Sequence, residues 1–218
     1  MIRQFGEAAL LVDLPGSVEV HALAAALGSV PGVTLTVPGM VSLLVELDPL
    51  TVDPAALARE IEGRLDGLAS AVVTGRERII PVCYGGEMGP DLAEVAELMG
   101  LTADDVIRRH SASQLTVQIV GFAPGFAYLG DMPAELAVPR LETPRTSTPP
   151  GSVAIAGRQT GIYPAALPGG WRVIGRTPVA LFDAQRDPPA YLAAGDRVRF
   201  VAIPADEWER QAGPAGDW

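Results

Sequence analysis

The stretch from Ile119 to Arg176 constrains this chain more than any other. It reads IVGFAPGFAYLG, passes two Pro-Arg pairs (Pro139-Arg140 and Pro144-Arg145) and ends in PPGSVAIAGRQTGIYPAALPGGWRVIGR. Glycine and proline are dense, yet Phe122, Phe126, Tyr128, Tyr163 and Trp171 stand between the turns. Flexible linkers are built from small polar residues, whereas rings favour burial, so this is a folded region. From Leu115 onward extended segments alternate with turns: Thr116–Gly121, Ser152–Ala156, Trp171–Ile174, Ala180–Asp183 and Arg197–Ile203. Such a series predicts an all-β barrel or sandwich.

Charge adds a chemical hint. Between Arg140 and Arg176 lie five arginines (Arg140, Arg145, Arg158, Arg172, Arg176) and one acid, Glu142, in a chain of net charge -10. A single arginine is most simply explained by pairing with a nearby acid. The cluster points instead to recognition of a carboxylate or phosphate by planar, bidentate guanidinium groups. All 16 basic residues are arginine. With no lysine, neither a GxxxxGK phosphate loop nor a Schiff base on a protein amine can form. The acidic balance also argues against broad nucleic-acid binding.

The 218 residues suit one large domain or two small ones, and the lone cysteine, Cys83, rules out an internal disulfide framework. No apolar run reaches the roughly 20 residues of a membrane helix, and the first residues lack signal-peptide features, so a cytoplasmic protein is expected.

In order, residues 4–14 have β character, and Ser17 is a candidate N-cap for a helix carrying Val20, Leu23, Leu27 and Val30. Val33–Val37 and Val41–Leu47 form a hairpin about Pro38-Gly39, and Asp53-Pro54 opens a helix with Leu57, Ile61, Leu65 and Leu68 on one face. Residues 71–82 return to β character. The order βαββαβ predicts a ferredoxin-like domain, with His21 at a solvated helix position. Asp91-x-x-Glu94 fits a capping box for a helix to Met99 closed by Gly100, and Thr102-x-x-Asp105 opens another ending in Arg108, Arg109 and His110. His110 reads equally as a helix end or as a site wall. Residues 204–218 read as an acidic tail.

GFAPGFAYLG, PGSVAIAGRQTGIYP, PGGWRVIGRTPVALFD and PVCYGGEMGPDLAEVA together make the chain resemble the allophanate hydrolase subunit 1 family, which includes the B-type subunit of 5-oxoprolinase and the KipI-type kinase inhibitors. The likeness runs from residue 1 to about residue 203. It implies an α+β chain: a small N-terminal domain, here ferredoxin-like over residues 1–78, then a cyclophilin-like β-barrel over 79–203. It also implies partners, namely a second β-barrel subunit (the C-type subunit of 5-oxoprolinase, or allophanate hydrolase subunit 2) and a ring-opening subunit. ATP is implied as co-substrate of the complex, with no bound metal and no biotin in this chain. Carried onto this sequence, the resemblance gives Phe122, Pro124, Gly125, Phe126, Tyr128, Thr160, Tyr163, Pro168, Gly169, Gly170 and Trp171 as substrate-site candidates. Arg140 joins them from the charge pattern. Arg145 is expected to hold an anionic group and Gln159 an amide, with His110 as the third catalytic candidate. Phe122, Phe126 and Tyr128 read equally well as barrel core.

A lactam carbonyl is a poor electrophile, and phosphorylating its oxygen creates a leaving group whose negative charge needs cations and oriented N–H groups. The expected function is therefore that of the B-type subunit of an ATP-dependent 5-oxoprolinase, which converts 5-oxo-L-proline to L-glutamate. One alternative is a KipI-type inhibitor docking on a sensor histidine kinase. The other is a carboxyltransferase component of allophanate hydrolase or urea carboxylase type.

Overall fold

Beginning at Ile2, the chain folds straight back on itself: Gly6, at φ 70°, allows β1 (Ile2–Gln4) to pair antiparallel with β2 (Ala9–Asp13). The computed structural model describes residues 1–68, 75–130 and 132–211. It divides into two units, Met1–Thr74 and Gly75–Trp218.

In the first unit, α1 (Ser17–Leu27), β3 (Val33–Pro38), β4 (Ser42–Leu47) and α2 (Pro54–Leu68) follow β2. The strands form an antiparallel sheet in the order β1-β2-β4-β3. Leu43, Val45 and Leu47 alternate inward along β4, as a half-buried strand requires. The register sets Leu43 against Val12 and Val45 against Leu10, and the core is completed by Val20, Leu23 and Leu27 of α1 and Leu57, Ile61 and Leu68 of α2. Asp53 caps α2 as expected, its Oδ1 accepting the Ala55 N–H.

Three expectations are corrected here. Gly16, not Ser17, is the N-cap of α1, and no side chain bonds there. His21 is 9% exposed and belongs to the buried face of α1, not a solvated one. The expected strand over 71–82 does not complete this sheet. Residues 71–74 lie outside the described residues, and Glu77–Tyr84 is a strand of the second unit. The sheet edge beside β2 is held by β1 instead, because Gly6 breaks residues 4–14 into a hairpin.

The second unit contains β5 (Glu77–Tyr84), α3 (Leu92–Met99), α4 (Ala103–Ala112), β6 (Leu115–Val120), β7 (Ala127–Gly130), β8 (Arg145–Thr148), β9 (Ser152–Ala156), β10 (Gln159–Ile162), β11 (Leu167–Gly169), β12 (Arg172–Arg176), β13 (Arg197–Ala202) and a short α5 (Trp208–Gln211). Seven strands close a barrel in the order β10-β7-β6-β13-β5-β12-β9, and β8 and β11 pair as a separate ribbon. Among the described residues only β13 and β5 run parallel, and a domain boundary at residue 78 would cut through β5. Ala180–Asp183 is not a strand; Phe182 makes a single bridge to Ala190. Residues 205–211 carry two short helical turns, and the rest of the expected tail, 212–218, lies outside the described residues.

All five residues of β9 are buried. Val153 and Ile155 point into the main core with Ile162, Leu129 and Phe200, while Ala154 and Ala156 pack under Phe126, Tyr163 and Trp171. A barrel strand apolar on both faces needs a cover on its outside, and that cover is where the candidate site lies.

Candidate functional site

The cover is a cluster of rings. Phe126 meets Phe122, Tyr128, Tyr163 and Trp171 with centroids 5.4, 4.8, 5.2 and 6.0 Å away, all edge-on or tilted as aromatic quadrupoles prefer. Phe126, Tyr163 and Trp171 are buried, Tyr128 is half-buried and Phe122 is exposed. Phe122, Phe126, Tyr128, Arg140 and Tyr163 line a cleft of about 160 Å³ together with the segment from Pro168 to Trp171.

Glycines make this packing possible at two points. At Gly169 a Cβ would stand 2.1 Å from the Tyr163 hydroxyl, so the β11 backbone closes on that ring only without a side chain. Gly125, at φ 80°, turns the chain between β6 and β7, and a Cβ there would lie 2.7 Å from that of Phe182. Burial raises the Tyr128 and Tyr163 phenols above their ordinary range, against the opposing charge of Arg140, so both stay protonated donors at neutral pH.

The five arginines separate into distinct roles. The Nε groups of Arg158, Arg172 and Arg176 donate to the carbonyls of Met132, Pro139 and Pro150, and Arg172 also pairs with Glu94. Arg145 sits on the ribbon with Nη2 2.6 Å from Asp91 Oδ1 and Nη1 3.5 Å from the Trp171 carbonyl. Arg140 lines the cleft, its Cζ 5.9 Å from the Trp171 ring centre, and among the described residues no ion pair neutralises it. The cation presented to the cleft is therefore Arg140, while Arg145 has its charge met by Asp91.

Asp91 is the residue that sequence reasoning misplaced. It precedes α3 as expected, and Gly100 closes that helix in the left-handed conformation, but the Asp91 carboxylate makes no cap bond. It turns instead to Arg145 and to the Val173 N–H, 2.6 Å from Oδ2, while its own N–H donates to the Val173 carbonyl. One buried carboxylate thus ties β12 to the ribbon that carries Arg145.

His110 and Thr160 lie elsewhere. On β10, Thr160 and Ile162 point into the barrel, and Gly161, one residue between, lies under Phe126 and Trp171. Thr160 donates to the Ala154 carbonyl, so it accepts from His110 Nε2–H, and His110 Nδ1 accepts the Tyr84 hydroxyl proton. His110 also stacks on Phe200 with centroids 4.6 Å apart, and burial pushes its pKa down to about 3. It is a neutral, buried residue in the last turn of α4, a helix end as one of the two readings had it and not a wall of this cleft. Gln159 bonds Gln118 on β6, and neither Gln159 nor Pro124 lines the cleft. Among the described residues no group of three or more His, Cys, Asp or Glu is placed to hold a metal ion.

Over residues 1–192 the chain matches the family described as the carboxyltransferase domain, subdomains C and D. It belongs to that family. It is 42% identical over 221 residues to the B-type subunit of 5-oxoprolinase from Bacillus subtilis (strain 168), covering 93% of this chain and 92% of that one. The same identity holds over 206 residues with the corresponding 5-oxoprolinase subunit of Escherichia coli O157:H7, covering 90% and 93%. Among solved structures, the conserved uncharacterized protein PH0987 from Pyrococcus horikoshii is 41% identical with a TM-score of 0.60, covering 95% of this chain and 100% of that one. Urea carboxylase of Kluyveromyces lactis superposes with a TM-score of 0.74 at 19% identity, over 96% of this chain and 22% of that one, a likeness of fold alone. The resemblance read from the glycine-rich motifs is thereby borne out.

Proposed function

We propose that this chain is the B-type subunit of an ATP-dependent 5-oxoprolinase and that the aromatic cleft is its share of the lactam site. The observation that carries the reading is the family membership, with relatives of that name matched across nine-tenths of both chains. The cleft supports it. Arg140 supplies a cation for the substrate carboxylate, the rings exclude water, and the Tyr128 and Tyr163 hydroxyls are donors near a carbonyl oxygen that gains negative charge. In the reaction, the carbonyl oxygen attacks the γ-phosphorus of ATP and ADP leaves. Water then adds at the activated carbon and the C–N bond breaks, leaving an acyl phosphate on the opened chain; a second water hydrolyses it, releasing phosphate and glutamate.

Among the described residues the cleft is lined by no carboxylate, histidine or cysteine that could act as base or nucleophile. That fits a shared site completed by a second β-barrel subunit and a ring-opening subunit. No helix among the described residues is long and apolar enough to cross a membrane, and a cytoplasmic location agrees with the proposed substrate. The same reading takes the barrel as cyclophilin-like. The N-terminal sheet is then a ferredoxin-like split βαβ in which β1 stands where a fourth strand would follow α2. The test is 5-oxoproline-dependent ATP hydrolysis by the cognate subunits with and without this chain. Turnover should require it, and equal rates in its absence would end the proposal.

A further inference from the structure

Phe122 is, among the described residues, the one non-glycine residue held at positive φ, 72°, and it is 63% exposed. Both features are unfavourable in the free chain. A left-handed backbone crowds any Cβ, and an exposed ring gains nothing from burial. The turn does not need a ring, since glycine would adopt the same φ without strain. What the conformation achieves is placement: the ring stands at 81° to Phe126 on the wall of the cleft that Arg140 also lines.

The size of the cleft bears on what that ring meets. On this chain's side the cleft offers about 160 Å³, room for one small metabolite. Its single uncompensated cation calls for an acid, and its faces (Phe122, Tyr128, Trp171) call for a compact apolar body. We propose that Phe122 is the specificity-determining ring of this cleft, closing on the saturated body of a small carboxylic acid held at Arg140, with the nucleotide bound elsewhere in the complex. This rests on the functional reading above and deepens it. The backbone strain keeps the ring standing free of the barrel core, available to the ligand.

The assembled complex provides the test. Phe122→Ala and Phe122→Gly should each raise KM for 5-oxo-L-proline about tenfold or more through lost apolar contact, and leave KM for ATP within about twofold. Phe122→Tyr should restore KM to near the wild-type value. Phe122→Gly should melt about 2–4 °C above Phe122→Ala, because only glycine relieves the left-handed strain. That difference reports folding independently of activity. Unchanged KM for 5-oxoproline in both truncations would overturn the assignment while leaving the functional reading intact. So would equal rises in both KM values, or loss of complex assembly on size-exclusion chromatography, which would assign the ring to a subunit contact. A wild-type complex without 5-oxoproline-dependent turnover would remove the functional reading itself, and this inference with it.

Discussion

Replacing Asp91 by alanine tests whether the site is held by a long-range latch. Asp91 Oδ2 accepts the buried Val173 N–H and Oδ1 accepts Arg145, each at 2.6 Å. In Asp91→Ala the N–H loses its acceptor, at about 1–3 kcal/mol for a buried donor. The Arg145 side chain is 30% exposed, so water takes over part of its solvation. Its share is about 1 kcal/mol rather than the roughly 3–5 of a fully buried pair. The expected destabilisation is therefore about 2–4 kcal/mol. Asp91→Asn, which can keep an acceptor for Val173 but not the charge for Arg145, should lose about 1–2 kcal/mol. All three tryptophans (Trp171, Trp208, Trp218) lie in the C-terminal unit, so urea unfolding followed by tryptophan fluorescence reports on the unit concerned. A double-mutant cycle with Arg145→Ala should give a coupling of about 1–2 kcal/mol. A loss below about 0.5 kcal/mol in Asp91→Ala, or a coupling near zero, would refute the latch.

Two further outcomes follow from the barrel. His110 is neutral when folded with its pKa pushed down to about 3, below the 6.5 of a free histidine, so the unfolded chain binds the extra proton. Its contribution is complete above pH 6.5 and is lost as pH falls toward 3. As pH falls from about 6.5 to 5 wild-type stability should drop more steeply than that of His110→Gln, the extra slope approaching about 1.4 kcal/mol per unit at the lower end, and parallel pH profiles would contradict this. Gly169→Ala sets a methyl 2.1 Å from the Tyr163 hydroxyl, so that ring must move. The variant should lose about 1–3 kcal/mol in urea unfolding, and an unchanged midpoint would show that β11 yields instead.

What the sequence made legible is what neighbouring residues decide. Asp53-Pro54 and Thr102-x-x-Asp105 open helices because cap and receiving N–H lie within three residues, and Pro38-Gly39 marks a real hairpin. The rings and glycines of the candidate cleft were visible because packing of that kind needs both residue types in quantity. Local pattern marks Glu77–Tyr84 as a strand but does not assign its sheet, since its partner β13 lies more than a hundred residues downstream. Asp91 misled for the same reason. Its local context is that of a helix cap, while its partners are 54 and 82 residues away. Thr160 and Gly161 are adjacent in sequence, yet strand pleating sends one to the core and the other beneath the rings, a difference that depends on which face of the barrel is covered.

The parallel pairing of Glu77 with Arg197 through Val82 with Ala202 has a consequence for how the molecule is made. A growing chain cannot complete the barrel wall until Ala202 has left the ribosome. Until then β5 presents one open flank beside nascent β-rich sequence. Contacts spanning so much chain also slow closure. Chaperone dependence during synthesis, and insolubility of fragments ending before Arg197, are the expected signs in the cell.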